Sequence, residues 1–419
     1  MAGRRRASPP SGVESGPVRV EQIGADGDGI AVGPEGRTLF LANTLPGELV
    51  QPGALTKRGD GFAADAVILE ASADRVEPPC PHFGPCGGCT LQHWRDESYA
   101  QWKLARASAF GVQAASLART PSGARRRMDF AIRREGGAIR VGLHRRRSAE
   151  IVDIRACPVL HPALFGLLQA LRPVLARLDG LRKQGEARVN LLDSGPDLLL
   201  HTDAPLSARD RIGLAALAQA QGMPRVTWSD GTGMEPAAVL RPARTAFSGV
   251  VTEIPPGAFL QASREGEAAI VAAVLRALPE KIGGEIVELF AGCGTLTHAL
   301  SGRGRVVAYE GDADAVAALR RAGNQRVKAV QRDLARQPLM AAELKRAAVI
   351  VLDPPYAGAP LLMPALAGCA VPIVYVSCNP MALARDGRAL VRHRARTVEA
   401  IDQFLWSTQT ETVTAFLPF

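Results

Sequence analysis

The chain has 419 residues, 47% of them hydrophobic, enough for two or three folded domains rather than a single small one. Its 50 Lys and Arg against 41 Asp and Glu leave a net charge of +9, which suits an anionic partner such as nucleic acid. No apolar run approaches a membrane span, Arg4-Arg5-Arg6 has no apolar segment behind it to make a secretory signal, and seven cysteines is an odd number for a disulfide framework; the expectation is a cytoplasmic protein using cysteine for metal or catalysis.

Residues 1–16, rich in Arg, Ser, Pro and Gly, read as a disordered basic tail. From Val18 to Leu69 short apolar runs alternate with turns at Asp26-Gly27-Asp28-Gly29, Pro34-Glu35-Gly36 and Pro46-Gly47. That spacing predicts a small β-barrel over 17–72, serving either as an RNA-binding surface or as a structural module. Cys80, then Cys86-Gly87-Gly88-Cys89, and the distant Cys157 form a four-thiolate set suited to an iron–sulfur cluster or zinc. The two glycines let the loop wrap closely. His82 and His93 are read as structural.

Ten arginines against four acids lie between Arg125 and Arg155. Apolar alternation at Met128-Phe130-Ile132 and Ile139-Val141-Leu143 predicts a hairpin with a basic, phosphate-contacting face. Leu164 to Leu178 reads as helix, broken at Pro173, and the stretch to about Val250 as strands and loops without a usable motif. From Gly283 strands and helices alternate, as in a parallel sheet. Ile286–Phe290 is a strand, Ala291-Gly292-Cys293-Gly294-Thr295 a glycine turn opening a helix at Leu296–Leu300, and Val306–Tyr309 a strand ending in Glu310. An acid about 20 residues past such a turn binds ribose hydroxyls in dinucleotide sites. Cys293 and Cys369 are read as small packed residues.

The strand Ala348–Leu352 ends in Asp353-Pro354-Pro355-Tyr356. Ile373–Val376 ends, past Ser377, in Cys378, with Asn379-Pro380 starting a helix over Met381–Leu390. In an open parallel sheet that edge binds ligands, and a helix N-terminus favours thiolate over thiol. The chain closes with the strand Thr412–Leu417, preceded by Glu411, which by itself reads as a solvated charge.

Together these residues resemble the S-adenosylmethionine-dependent RNA uridine C5-methyltransferases, in particular the cluster-bearing bacterial ribosomal RNA enzymes, over the whole chain after the tail. Ser377-Cys378-Asn379-Pro380 with Leu383-Ala384-Arg385-Asp386 matches the nucleophile motif. Glu411, nine residues after Asp402 and seven after Phe404, falls where the family places its general base. The resemblance implies a TRAM domain around Pro46-Gly47-Glu48 and a [4Fe-4S] cluster on Cys80, Cys86, Cys89 and Cys157. It implies cofactor or site contacts at Gln261 (in Phe259-Leu260-Gln261), Phe290, Glu310, Asp333 and Asp353, beside Gly292 and Gly294 of the turn.

The implied fold is α/β: a Rossmann-like methyltransferase domain over 276–419, an OB-like TRAM barrel over 17–72 and a central α+β cluster-binding domain over 73–275. The implied reaction is addition of Cys378 to uracil C6, methylation at C5 and removal of the C5 proton by Glu411. The implied partner is RNA, 23S rRNA ahead of tRNA, with no membrane and no obligate protein partner evident; the cluster is read as structural. Tyr356 (usually Arg), Leu405 (commonly Pro), Gln409 (commonly His) and Ser263 (commonly Asn) depart from the pattern. Asp353-Pro354-Pro355-Tyr356 also resembles the motif of amino-group methyltransferases, which need no nucleophilic cysteine. An RNA-binding module with a degenerate methyltransferase domain is the non-enzymatic alternative.

Overall fold

A computed structural model describes residues 15–33, 36–108 and 110–419. The basic tail lies outside the described residues as far as position 14, as do the first two residues of the Pro34-Glu35-Gly36 turn. The chain forms two compact units: one of the residues up to Gly84 with Gly88–Tyr99 and Trp406–Thr408, the other of Pro85–Gly87, Ala100–Leu405 and Gln409–Phe419.

In the first unit, short strands form a three-stranded and a five-stranded sheet among the described residues. They pack on a core of Val20, Ala31, Leu39, Leu41, Val50 and Ala64, an all-β module where the turn spacing predicts strands. Gly47 takes φ +84°, which lets the chain turn back so that Glu48 points inward. Fully buried, Glu48 accepts from the Leu45 and Ser72 backbone and pairs with Arg75 at 2.6 Å. Burial opposes its charge, but these partners prevail and hold its carboxyl below the ordinary value.

The second unit carries two sheets. Among the described residues a seven-stranded sheet is built round the predicted hairpin, Arg127–Glu135 against Ala138–His144. The helices Pro162–Arg177 and Ala208–Ala220 pack on it through Leu164, Leu168, Leu171, Leu214 and Leu217. Two expectations are corrected here. The first helix runs unbroken through Pro173, its apolar face buried, and Arg134 donates to the carbonyls of Leu175, Ala176 and Leu178 at its end. The second helix went unread, although Ser207 and Asp210 form a reciprocal capping box at its start.

The other sheet has eight strands among the described residues: β1 (Leu117–Arg119), β2 (Glu285–Leu289), β3 (Arg305–Glu310), β4 (Val327–Gln331), β5 (Ala347–Leu352), β6 (Ile373–Ser377), β7 (His393–Asp402) and β8 (Glu411–Pro418). Their order is β4-β3-β2-β5-β6-β8-β7-β1. Strands β2 to β6 run parallel, β8 is antiparallel to both β6 and β7, and β7 is parallel to β1. The strand order reverses between β2 and β5, which opens a crevice at their carboxyl ends. Val, Ile and Leu fill β5 and β6 because both faces are covered, as expected of a buried parallel sheet. This is the Rossmann-like methyltransferase arrangement with an antiparallel final pair.

Candidate active site

Three strands end at the crevice with polar residues. After β2, Phe290 adopts φ +66° and leads into Gly292 (φ +55°) and Gly294 (φ +109°). Gly294's φ of +109° disfavours any side chain, and a Cβ there would also lie 2.7 Å from Leu319 Cδ2 of the neighbouring helix. At Gly292 a Cβ would meet nothing within 4 Å; this glycine serves the backbone turn and leaves the space above it open. Glu310, at the end of β3, accepts from Gly292 N at 2.7 Å and from Asp312 N at 2.8 Å. A carboxylate has about four acceptor positions, so lone pairs remain for a diol. Asp333, two residues past β4, spends Oδ1 on the Ala335 and Arg336 amides of its own turn.

Asp353 follows β5. Burial pushes its carboxyl up to about 6, against the Gln261 amide that donates to it at 3.2 Å. Cys378 follows β6. Ser377 pairs with Thr412, so Cys378 and Glu411 stand across from one another at the open end of β6 and β8. Both continue the sheet face that carries Val374, Val376 and Val413. Asn379 caps the helix Pro380–Ala389 by accepting from Met381 N and Ala382 N, and it donates to Tyr356 O at 2.9 Å. Asp386 of the same helix accepts from Tyr375 Oη and Ala359 N, both at 2.7 Å. The cysteine turn and the Asp353–Tyr356 turn are thereby tied to each other.

Two expectations about charge are corrected. Glu411 is not a solvated charge: it is 6% exposed and is the first residue of β8. Burial and the Asp353 carboxylate push it up to about 8, with Gln403 working the other way. Nor does the helix N-terminus win at Cys378. Burial first, then Glu411 and Asp353, raise its thiol to about 12. The favourable end of a helix dipole is a smaller effect than two nearby carboxylates in a poorly solvated site.

Two further residues belong to this cluster and were not singled out in the sequence. Glu288, on β2, is 2% exposed, and its Oε2 finds no hydrogen-bond partner among the described residues. Burial, with Asp353 and Glu310 adding, holds it up to about 8. Thr297 hydrogen-bonds to this carboxyl, which leaves Oε2 as the unpartnered atom. A buried carboxyl with one free oxygen suits a cationic ligand, and Glu310 suits a ribose: the residues fit S-adenosylmethionine, whose sulfonium and ammonium are both positive. The second residue is Gln403, directly after β7. It donates to Gln261 Oε1 at 2.8 Å and to Glu411 Oε1 at 3.0 Å. An acid inside an apolar strand is a signal that could have found Glu288; nothing local marks Gln403.

No family model matches the chain. It is 37% identical to an uncharacterized RNA methyltransferase of Mesorhizobium japonicum, over 94% of this chain and 96% of that protein. It is 33% identical to the 23S rRNA (uracil(1939)-C(5))-methyltransferase of Pectobacterium atrosepticum, over 96% of this chain and 93% of that one. The chain belongs to the RNA uracil-C5-methyltransferase family. In fold this methyltransferase is similar to the crystal structure of Pyrococcus abyssi tRNA (uracil-54, C5)-methyltransferase in complex with S-adenosyl-L-homocysteine. The TM-score is 0.72 at 20% identity, over 96% of this chain and 100% of that one. By its family it is an RNA methyltransferase, and none of its described helices is long and apolar enough to cross a membrane.

The remaining cysteines divide by environment. Cys293 is buried among Leu192, Phe247, Leu260 and Ala315 and, burial being the main cause, its thiol is raised to about 12, a packed residue as read. Cys369 donates to Ala365 O at 3.3 Å. Cys80, Cys86, Cys89 and Cys157 are half-exposed and in no disulfide. Cys86 bridges to Arg145, and Cys86 and Cys157 both pack on the central core. Among the described residues no three His, Cys, Asp or Glu side chains stand together as a metal site. His93 is fully buried, stacks at 5.1 Å on Phe83 and, desolvated, is held down to about 4, in keeping with a structural role.

The basic hairpin is only partly a free face. Arg126 is buried against Glu267 at 2.6 Å, and Arg134 caps a helix. Arg127 is half-buried, donates to Leu260 O at 3.2 Å and lies over the exposed Phe259 ring at 4.2 Å, two residues before Gln261.

Proposed function

We propose that the enzyme methylates C5 of a uridine in 23S rRNA, with Cys378 as nucleophile and Glu411 as general base. One observation carries this: the register of β6 on β8 sets a thiol and a buried carboxyl opposite each other at the mouth of the crevice. When bound, S-adenosylmethionine supplies an electrophilic methyl group; Gln261, Phe290, Gly292, Gly294, Glu310, Asp333 and Asp353 are its contacts in this reading.

Cys378 sulfur adds to C6 and the C5=C6 electron pair moves toward O4, which makes C5 nucleophilic. The thiol proton passes to the Asp353 carboxylate, which leaves Glu411 available as the base for the later step. C5 takes the methyl group, with the S–CH3 electron pair leaving on sulfur. Glu411, as carboxylate, removes the C5 proton; that C–H pair restores C5=C6 and expels the cysteine thiolate. The target base has to leave its stack to expose C6.

The thiol at about 12 and the acid at about 8 describe the free enzyme, in which both hold their protons. Asp353 raises both groups by its charge, so a cationic ligand held in this site would favour the Cys378 thiolate and the Glu411 carboxylate. Amino-group methylation would leave Cys378 and Glu411 without a use.

The finer reading includes a [4Fe-4S] cluster on Cys80, Cys86, Cys89 and Cys157. Four thiols outside any disulfide support it as a donor set. It also includes a TRAM role for the first unit and a cytoplasmic location with the RNA. The deciding experiment maps 5-methyluridine in 23S rRNA and tRNA from cells with and without the gene. Loss of one 23S rRNA site supports the proposal; an unchanged map in both RNAs defeats it.

A further inference from the structure

Gln403 is 3% exposed and fully engaged. Its Oε1 accepts from Ala262 N at 3.0 Å, and that bond fixes which way the amide faces. The amide nitrogen must then point at Glu411 Oε1 (3.0 Å) and Gln261 Oε1 (2.8 Å), and it donates one hydrogen to each. With its oxygen occupied, Gln261 turns its own nitrogen to Asp353 Oδ2 at 3.2 Å. One side chain therefore sets the polarity of a buried chain that runs from Glu411 through Gln403 and Gln261 to Asp353. Glu411 is left with Oε2 free to meet a proton.

The helix Arg264–Ala277 makes room for this. A Cβ at Gly266 would lie 2.6 Å from Gln403 Cβ and 3.0 Å from its Oε1. The glycine is near the start of a helix, where it costs stability relative to alanine, so its presence is explained by the side chain it accommodates.

We propose that Gln403 is a positioning residue: it orients the carboxyl of Glu411 toward C5 and, through Gln261, aligns that carboxyl with the methyl donor's site, so that the two sites are coupled. The roles of Glu411 and Gln261 in this inference rest on the reading above. By donating to Glu411, Gln403 also favours the carboxylate form of the base, against burial and Asp353.

The test uses the full-length enzyme with a 23S rRNA fragment and, separately, S-adenosylhomocysteine alone by calorimetry. Gln403→Met keeps length and packing but removes the donors. It should lower kcat about tenfold or more at neutral pH with little change in KM for RNA. The rising limb of the pH–rate profile should move to higher pH, and S-adenosylhomocysteine should bind several-fold more weakly. Gly266→Ala, which displaces Gln403 without altering it, should move both readouts the same way. Unchanged pH profiles and unchanged S-adenosylhomocysteine affinity in both variants, even with lower activity, would mean Gln403 only fills space, and the inference fails. If the wild type forms no 5-methyluridine in any RNA, the functional reading fails instead; the calorimetric comparison still decides whether Gln403 governs the Gln261 site.

Discussion

Cys378 and Glu411 face one another at the end of an antiparallel strand pair, and the carboxyl helps keep the thiol protonated in the free enzyme. A nucleophile held in check until its site fills is protected from stray electrophiles. Alkylation of Cys378 by iodoacetamide, followed by mass spectrometry of its peptide, should be slow at pH 7–8 and rise steadily with pH, since the reactive form is the thiolate. Asp353→Asn at pH 7–8, and Glu411→Gln above about pH 8 where that acid is ionised, each remove a negative neighbour, lower the thiol's pKa and should speed alkylation several-fold. No change in either variant would disconnect the carboxyls from the thiol.

The two residues should separate kinetically. Cys378→Ala should abolish methyl transfer while leaving S-adenosylhomocysteine binding within about twofold. Glu411→Gln should slow turnover by about 10²–10⁴-fold, the usual worth of a general base, and accumulate a protein–RNA band that survives denaturing electrophoresis. An active Cys378→Ala enzyme would exclude the covalent route.

Glu288 gives a stability prediction with a definite sign. Its folded value, about 8, is above the ordinary carboxyl value, so the folded state holds more protons than the unfolded state between them. The associated stability is present at acid pH and is lost as pH rises from about 4.5 through 8. Glu288→Gln should therefore raise Tm at pH 8.5 by several degrees, at roughly 2–4 °C per kcal/mol, and change it little at pH 4.5. The same variant should weaken S-adenosylhomocysteine binding. A Tm gain of equal size at both pH values would contradict the assignment.

Lys103 is fully buried against Asp402 and also donates to Phe404 O at 3.2 Å and Gln409 O at 2.6 Å. It thereby pins the ends of β7 and of the segment leading to Glu411. Lys103→Met removes the buried cation that Asp402 pairs with, at a cost of about 3–5 kcal/mol. Urea denaturation should show that loss, and trypsin should cut at new sites. Stability within 1 kcal/mol of wild type would show that water reaches Asp402.

Anaerobically purified enzyme should carry about four irons and four sulfides per chain. Cys157→Ser should lose most of the iron and the visible absorbance. Zinc in a one-to-one ratio, with no iron, would replace the cluster by the other metal that four thiolates accept.

Much of this was legible in the residue order, because the signals are local. Strand–turn–helix alternation after Gly283, the glycine turn, Glu310, Asp353 and Cys378 are set by which residues end a strand or permit a positive φ. Near neighbours in the chain determine those features. The hairpin at Arg127–His144 was legible for the same reason, by its alternation. Pro173 misled because a buried leucine face outweighs one lost hydrogen bond, and that burial depends on a sheet formed by distant strands.

Other features came only from long-range register. Glu411 reads as a surface charge until β8 inserts between β6 and β7, which buries it and sets it opposite Cys378. The thiol's suppression, the orphaned Glu288 oxygen and the Gln403 chain all depend on groups far apart in sequence meeting where water is scarce. Sequence alone determined which residues could do the chemistry. The tertiary structure decided their protonation and their partners, because burial and the closeness of other charges are properties of the assembled site and of no single segment.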